Sequence, residues 1–279
     1  MAWLEQQVAA VPLETVVLLF IALFISASGF YKTVYFVSIG YAFSIAAMAV
    51  LAPLLFRDNL TWYGLLHCSL LLIYGLRLGI YLLRRESTST YKRELELQKE
   101  RTAGMTDGVR FLIWIAVSLL YVAMFSPALF TLATPQGNLS AFGVTMQITG
   151  AAVMVFGIGL ETLADKQKSD FKAINPKRFC DVGLYRWVRC PNYLGEIIFW
   201  LGNMMMGVPF YSALVRWVIA LAGLVCITLI MMGSTKRLEQ SQDERYGAMP
   251  EYQRYVSSVP VLFPFVPVYT LKNIRVYLE

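Results

Sequence analysis

The sequence has 279 residues, of which 57% are hydrophobic and only 15% are charged, whereas soluble domains carry roughly 25% charged residues. The net charge is +6 and the pI is near 9.1. The basic residues flank long apolar runs, as membrane topology requires, so we exclude nucleic acid as a partner. The composition predicts an all-α, polytopic integral membrane protein.

Seven apolar runs approach the length of about 20 residues that a helix needs to cross a bilayer. In chain order they are Pro12–Phe30, Tyr31–Phe56, Trp62–Leu83, Val109–Leu132, Leu139–Leu163, Tyr193–Val208 and Tyr211–Gly233. The sixth run is short and rich in Met and Gly. We therefore predict about seven transmembrane helices.

The basic residues predict the orientation of these helices. Three segments, Arg84–Arg110, Lys166–Arg189 and Lys236–Arg275, hold 20 of the 24 lysine and arginine residues. They alternate with segments that hold almost none. Because positive loops stay on the cytosolic side, the pattern predicts an outside N-terminus and a cytosolic C-terminus.

Metal chemistry is not indicated. His67 is the single histidine, and the four cysteines form no Cys-x-x-Cys motif, so a metal site is not predicted.

A glycine pair at Gly75 and Gly79 has the spacing that lets two helices pack closely. No sequence feature specifies an oligomer.

The end of the fifth run carries a polar helix face. Glu161, Asp165, Lys168 and Lys172 are spaced by four, three and four residues, so they share one side of a helix. A solvated helix end with ion pairs is one interpretation. A face turned into a functional site is the other, because Glu161 lies near the end of an apolar run, where an ionisable group is costly without a partner or a cavity.

The segment Arg178–Trp200 is the second candidate region. Pro191 suits the first turn of a helix, which places Asn192 and Glu196 one turn apart on one face. The helix start next to Arg186 and Arg189 suits a phosphate or carboxylate. A basic loop touching anionic lipid is the alternative that composition alone favours.

The run Gly183-Leu-Tyr-Arg-Trp-Val-Arg-Cys-Pro-Asn-Tyr-Leu-Gly-Glu196 closely resembles the signature of the steroid 5-alpha-reductase-like membrane proteins, in particular their bacterial branch. The resemblance is specific across 161–196 and diffuse elsewhere between about residues 70 and 265. Further matching positions are Ala164, Asp165, Phe171, Arg77, Leu78, Tyr81, Leu82, Arg84, Arg245, Tyr246, Gly247 and Tyr252.

This resemblance implies a seven-helix fold in a bacterial inner membrane that binds NADPH at a site facing the cytosol and reduces a lipophilic enone entering between helices. It implies a single membrane domain over 1–279, with N-terminal helices and a first cytosolic loop in 1–108 and a cofactor-binding part in 109–279. The residues it assigns to the cofactor are Asp165, Lys168, Lys172, Arg178, Tyr185, Arg189, Asn192, Tyr193, Glu196, Arg237, Tyr246 and Tyr252.

The sequence departs from the family pattern at two points. Cys190 stands where the bacterial branch usually has histidine, and the early-helix Gln-Glu pair that holds the substrate carbonyl has no match in the first three runs. The proton donor is therefore not implied by the resemblance. Tyr74, one turn before Arg77, and Tyr91 are our candidate catalytic donors, with Glu161 as a third catalytic candidate.

Two other classes remain open. The chain also resembles, more distantly, the isoprenylcysteine carboxyl methyltransferase superfamily, which uses S-adenosylmethionine, through Leu238-Glu239 and Tyr252-x-x-Tyr255. Two features count against this class: Cys190 replaces the histidine of its Arg-His-Pro motif, and Gly195 is followed by Glu196, as in the reductases. The third class is a non-enzymatic lipid-binding membrane protein. The partners expected for the reductase are a lipophilic small-molecule substrate and membrane lipid.

Overall fold

The computed structural model describes residues 7, 9–86, 102, 104–134 and 139–274, and this described part is helical without any strand. Its helices are α1 Glu14–Ser26, α2 Ile39–Leu55, α3 Trp62–Glu86, α4 Asp107–Ala133, α5 Ala141–Ile174, α6 Pro191–Gly207, α7 Leu214–Tyr246 and α8 Pro250–Ser258. Proline occupies the first position of α6 and α8, where its missing N–H costs no helical hydrogen bond.

Four of the described helices, α3, α4, α5 and α7, are long and apolar enough to cross a bilayer. Helices α1 and α2 are apolar but shorter, and α6 has 17 residues. The prediction of an all-helical integral membrane protein is confirmed. Each predicted apolar run coincides with one helix from α1 to α7, while seven crossings and the orientation of the termini stay predictions.

The connection between α1 and α2 differs from the sequence-based expectation of a helix resuming at Tyr31. Two 3-10 turns, Ala27–Phe30 and Thr33–Val37, separate the helices, and α2 begins only at Ile39. The Tyr35 hydroxyl lies 2.7 Å from each carboxylate oxygen of Glu86 in α3, and Lys32 pairs with the same carboxylate. These tertiary contacts hold the connection outside α-helical geometry.

Helices α5 and α7 continue past their apolar runs, which end at Leu163 and Gly233. Both extend by about three further turns, to Ile174 and Tyr246. Their polar extensions are rich in residues of good helix propensity. The chain thus carries two charged helical extensions that begin where apolar sequence stops.

The chain divides into two compact units, one comprising Met1–Ala151 and Asn203–Gly223 and the other Ala152–Gly202 and Leu224–Glu279. In the first unit α2 packs on α3 so closely that a Cβ at Gly75 would lie 2.6 Å from the Ala42 carbonyl oxygen. The predicted division at residues 108 and 109 rests on the cofactor-binding resemblance and stays a prediction.

A buried polar network crosses the first unit. His67 Nε2 lies 2.9 Å from Asn203 Oδ1, and Asn203 donates through Nδ2 to the Met124 carbonyl oxygen at 3.0 Å. Both polar side chains are buried. No water competes for these hydrogen bonds in an apolar interior. The network therefore links α3, α4 and α6 by hydrogen bonds in addition to apolar packing.

Candidate functional site

The candidate site lies in the second unit, where α5 and α6 cross at two glycines. A Cβ at Gly195 would lie 2.7 Å from the Glu161 backbone nitrogen, and a Cβ at Gly157 would lie 2.6 Å from the Phe199 nitrogen. Only glycine permits this approach of one helix backbone to the other. The crossing fixes the α5 segment around Glu161 beside the α6 segment around Glu196.

Three carboxylate side chains on these helices are buried: Glu161 and Asp165 on α5, and Glu196 on α6. Glu161 and Asp165 are one turn apart, so they lie on one face of α5. Burying a carboxylate is expensive unless other groups or a ligand compensate its charge. The structure therefore places three predicted site residues inside the protein, on two helices that the glycines hold together.

The turn before α6 packs on α5 at the level of these acids. Gly183 has φ of +58°, the left-handed region that glycine favours. The next amide, that of Leu184, donates to the Gln167 side-chain oxygen at 2.9 Å, and the Tyr185 hydroxyl donates to the Ala164 carbonyl oxygen at 3.3 Å. Tyr185, a predicted cofactor residue, is thus a buried contact between this turn and α5.

The predicted cations of this region have different surroundings. Lys172 donates to the Tyr246 hydroxyl at 2.7 Å and also to the Arg178 carbonyl oxygen. The exposed Arg178 guanidinium donates to Asp181 at 3.1 Å. Lys168 is half-buried and close enough to Cys180 and Cys190 to influence both thiols electrostatically. Lys168 therefore has no ion pair among the described residues, whereas Arg178 is paired with Asp181 at an exposed position.

Arg189 has a structural environment that the sequence did not indicate. Its guanidinium lies 2.8 Å from the Glu239 carboxylate on α7 and also donates to the Tyr269 carbonyl oxygen. The second Glu239 oxygen accepts from the Leu271 amide at 2.8 Å. This buried pair fastens the C-terminal segment 259–274 to α6 and α7.

The start of α6 is covered by the same segment. The Arg189 and Cys190 amides donate to the Pro260 and Val261 carbonyl oxygens at 2.9 and 3.1 Å. Asn192 and Tyr193, in the first turn, are half-buried. A phosphate-binding role for this helix start stays a prediction, and it would depend on groups after Cys190.

An aromatic cluster lies under the end of α7. The Phe179 ring packs against Tyr246, Tyr252 and Tyr255, with ring centroids 6.0, 5.3 and 5.2 Å apart. The Tyr252 hydroxyl donates to Asp243 at 2.7 Å, and Tyr255 donates to the Tyr185 carbonyl oxygen at 2.7 Å. The predicted residues Tyr246 and Tyr252 are thus packed in a core that joins the tail to the site.

Burial sets the proton affinity of several groups here. It raises the pKa of the Cys190 thiol to about 11, although the Lys168 and Arg189 charges act in the opposite direction. Burial also raises the pKa of the Tyr252 phenol, as does its hydrogen bond to Asp243. Both groups are therefore neutral at physiological pH, so Cys190 is a packing residue rather than a thiolate nucleophile.

The other predicted site residues are Tyr74, Tyr91 and Arg237. Tyr74 belongs to the first unit, where its buried hydroxyl lies 3.1 Å from that of Tyr41. Tyr91 lies outside the described residues. Arg237 is exposed on α7 and donates to Ser234 at 2.9 Å.

Two acids of α7 were not among the predicted site residues, although Glu239 was named for the distant methyltransferase resemblance. Glu239 pairs with Arg189, and Asp243 accepts from Tyr252 and also pairs with Lys272. The available signal was their spacing, because Thr235, Glu239 and Asp243 recur every four residues on one face of the helix. That face also leads to Tyr246, which the resemblance did identify.

A recess of about 400 Å³ opens in the first unit, between α1, α2 and the ends of α4 and α7. Its polar lining is formed by Glu14, Asp58, Asn59 and Arg216. Arg216 is buried there and donates to the Ala10 and Phe210 carbonyl oxygens and to Thr134. The recess contains none of the predicted site residues.

Comparison with known proteins identifies a family without assigning an activity. Residues 24–259 match a family described as a protein of unknown function (DUF1295). An uncharacterized protein of Schizosaccharomyces pombe is 30% identical over 173 residues, and this match covers 54% of the chain but only 45% of the yeast protein. No solved structure matches the chain. Since the family match extends over most of its length, the chain belongs to the DUF1295 family.

Proposed function

We propose that this protein is a membrane-embedded, NADPH-dependent reductase of a carbon–carbon double bond conjugated to a carbonyl in a lipophilic, steroid-like or isoprenoid substrate. The supporting observation is the burial of Glu161, Asp165 and Glu196 on two helices that cross at Gly157 and Gly195. Buried carboxylates at the end of an apolar helix favour a cofactor or substrate site over simple solvation.

The residues present fit a dinucleotide in their chemistry. Asp165, Asn192 and Glu196 would accept or donate hydrogen bonds to ribose hydroxyls and the nicotinamide amide, and their burial would exclude water from that contact. Lys168 and Arg178 would meet the phosphates, with Lys172 beside them. NADPH would supply the hydride of such a reduction.

Arg189 has a different part in this proposal. Because its guanidinium pairs with Glu239 and the Tyr269 carbonyl, it holds the tail in place and positions the start of α6 rather than contacting a phosphate. It acts on the cofactor through Asn192 and Tyr193, the half-buried residues of the first turn that follows.

The proton that accompanies the hydride requires a separate donor. A tyrosine hydroxyl in an apolar cavity is the best-suited group, and Tyr74 and Tyr91 remain our candidates, with Glu161 as the carboxyl alternative. Replacing Tyr74 with Phe would remove the proton while keeping the ring. We expect it to lower kcat more than it raises KM for NADPH.

The proposed membrane arrangement has seven spans, an outside N-terminus and a cytosolic C-terminus in a bacterial inner membrane. The alternation of basic segments supports it. Reporter fusions after Glu86 and after Ser258 should both be active on the cytosolic side, and a fusion at Asn59 on the outer side. A cytosolic signal at Asn59 would contradict this arrangement.

The cofactor proposal is tested by thermal-shift titration of the purified, detergent-solubilised protein with NADPH, NADH and S-adenosylmethionine. A ligand at 100 times its Kd stabilises the folded state by about 2.7 kcal/mol, which is measurable as a rise in Tm. We expect stabilisation by NADPH, less by NADH, and none by S-adenosylmethionine. Stabilisation by S-adenosylmethionine alone would refute the reductase.

Variants then locate the site. Glu196→Gln and Asn192→Ala should each weaken NADPH binding by about tenfold or more, the loss expected when a buried polar contact of about 1.5 kcal/mol is removed. Lys168→Ala should weaken NADPH more than NADH if it meets the 2′-phosphate. Lys177→Ala, an exposed lysine in the same basic segment, is the matched control and should change neither affinity.

The S-adenosylmethionine-dependent methyltransferase is a second candidate, for a specific reason. The two sequence features on which that distant resemblance depends, Leu238-Glu239 and Tyr252-x-x-Tyr255, lie in the same unit, where Glu239 pairs with Arg189 and the two tyrosines pack together. The same titration decides between the two enzymes. A shift with neither ligand would favour a non-enzymatic lipid-binding protein.

A further inference from the structure

An exposed apolar surface lies where the C-terminal segment meets the turn before α6. Phe265 is 88% exposed and Trp187 is 64% exposed, and their ring centroids lie 6.5 Å apart. Phe263, Val266, Val268 and Tyr269 are also exposed around them. We call the exposed residues of 263–269 the aromatic loop. A contiguous surface of this kind marks an interaction site.

The aromatic loop is held at its base. The Val261 amide donates to the Val268 carbonyl oxygen at 2.9 Å, which closes the loop, while Val261 and Leu262 are buried. The Cys190 amide donates to the Val261 carbonyl oxygen at 3.1 Å, which ties the base to the start of α6. The base of the loop is therefore fixed to the start of α6, whereas Phe265 and Val266 at its tip are exposed.

Phe265 has an unusual backbone conformation that exposes its ring. Its φ is +65°, and it is the only non-glycine residue with positive φ in the described part of the chain. A bulky side chain is strained there, so the conformation is maintained by the surrounding loop. The loop places a large aromatic ring outward where a small polar residue would fit the backbone better.

The position of Trp187 along the helices indicates which surface this is. Its turn contacts α5 through Tyr185 and Ala164 and through Leu184 and Gln167. These contacts lie immediately after Leu163, where the apolar run of α5 gives way to Asp165 and Lys166. That change marks the depth of a membrane–water interface, where tryptophan is enriched.

The charge around the aromatic loop fits an anionic surface. No Asp or Glu occurs between Tyr252 and Ile274 in the sequence. Arg186, next to Trp187, is exposed and has no ion-pair partner among the residues that the structure describes. Aromatic side chains beside unpaired cations suit the headgroup region of anionic lipid.

We propose that Trp187 and the aromatic loop insert into the headgroup–acyl boundary of an anionic bilayer, so that the C-terminal segment is a membrane-interface anchor. The insertion fixes the tail from outside as the Arg189–Glu239 pair fixes it from inside. It requires no cofactor and holds for each of the enzyme classes considered above.

Depth measurement on the full-length protein tests the insertion. Phe265→Cys is made in a Cys226→Ser background, since the other three cysteines are buried, and labelled with an NBD fluorophore. The protein is reconstituted in vesicles of phosphatidylcholine and phosphatidylglycerol with brominated acyl chains. Ser257→Cys, on the exposed side of α8, is labelled in parallel as the control.

We expect bromine quenching at position 265 to be severalfold stronger than at 257, with a blue-shifted emission, and iodide quenching from water to show the reverse order. Equal bromine quenching at both positions, or easy access of iodide to 265, would refute insertion and indicate a surface for a soluble partner. Circular dichroism of both labelled proteins verifies the fold.

The lipid charge provides a second, independent measurement. Arg186→Gln should reduce bromine quenching at 265 in the anionic vesicles and leave it unchanged in pure phosphatidylcholine. Lys177→Gln, an exposed lysine outside this surface, is the matched control. An equal loss of bromine quenching at 265 in the anionic and the pure phosphatidylcholine vesicles would contradict recognition of anionic headgroups by Arg186. So would an equal loss for Arg186→Gln and Lys177→Gln.

Discussion

The buried Arg189–Glu239 pair permits a quantitative prediction for the variant Glu239→Ala. Both side chains are almost inaccessible, at 3% and 4% exposure, so solvent does not screen the charge that remains. Removing one partner of a buried pair costs about 3–5 kcal/mol, because the other charge stays buried without compensation. We expect Glu239→Ala to lower the free energy of unfolding by that amount.

A charge-free double variant separates the ion pair from packing. In Arg189→Met with Glu239→Leu, no buried charge remains, but the Tyr269 carbonyl and the Leu271 amide each lose a partner. At about 1 kcal/mol for each lost hydrogen bond, the double variant should be about 2 kcal/mol less stable than the parent. It should therefore be more stable than Glu239→Ala alone.

The assay is unfolding of the detergent-solubilised protein by increasing sodium dodecyl sulfate, followed by far-ultraviolet circular dichroism. Trypsin cleavage after Lys272 reports release of the tail separately. Asp170→Ala is the control, because its pair with Lys166 is exposed at 71% and 63% and is worth about 0.5 kcal/mol or less. Equal losses for Glu239→Ala and Asp170→Ala, or a double variant less stable than Glu239→Ala, would refute the reasoning.

Three further predictions concern the packing around the site. Gly195→Ala should destabilise the protein by about 1–3 kcal/mol, because its Cβ would lie 2.7 Å from the Glu161 nitrogen, whereas Gly159→Ala, which meets nothing within 4 Å, should be neutral or stabilising in the same unfolding assay. Cys190 is buried and burial raises its pKa to about 11, so its thiol should resist maleimide at pH 8 until the protein is unfolded. Mass spectrometry would measure the labelling, and rapid labelling of the folded protein would contradict the burial of Cys190. Asn203→Leu should lower stability by about 1–3 kcal/mol, since His67 and the Met124 carbonyl lose their partner, and His67→Leu in addition should recover part of that loss.

The sequence predicted the helices well because their signal is local. Apolar runs of sufficient length and the proline at 191 locate α3 to α7 from composition alone. The connection after Tyr31 was not predictable in this way, since it is shaped by Glu86, more than 50 residues away. Contacts between segments distant in the sequence cannot be predicted from local hydropathy.

The candidate site was predictable to a similar extent. The spacing of Glu161 and Asp165 and the residues after Pro191 identified the positions that are now buried beside the helix crossing. Arg189 was assigned to an anionic ligand because an arginine at a helix start suits one. Its partner Glu239 lies 50 residues away on α7, so this ion pair could not be inferred from local spacing, and a contact of Arg189 with a cofactor stays a prediction.

The engagement of Arg189 changes how cofactor selectivity should be assigned. Among the predicted cofactor cations of the middle basic segment, Arg189 is paired with Glu239, Arg178 is paired with Asp181, and Lys172 donates to the Tyr246 hydroxyl. A 2′-phosphate carries more negative charge than a hydroxyl and needs a cation that is not already compensated. In the proposed reductase, the predicted cofactor residue that would meet this need is Lys168, which is half-buried with no ion pair among the described residues. Preference for NADPH over NADH should therefore depend on Lys168 more than on Arg189, whose replacement would weaken both cofactors equally by loosening the tail.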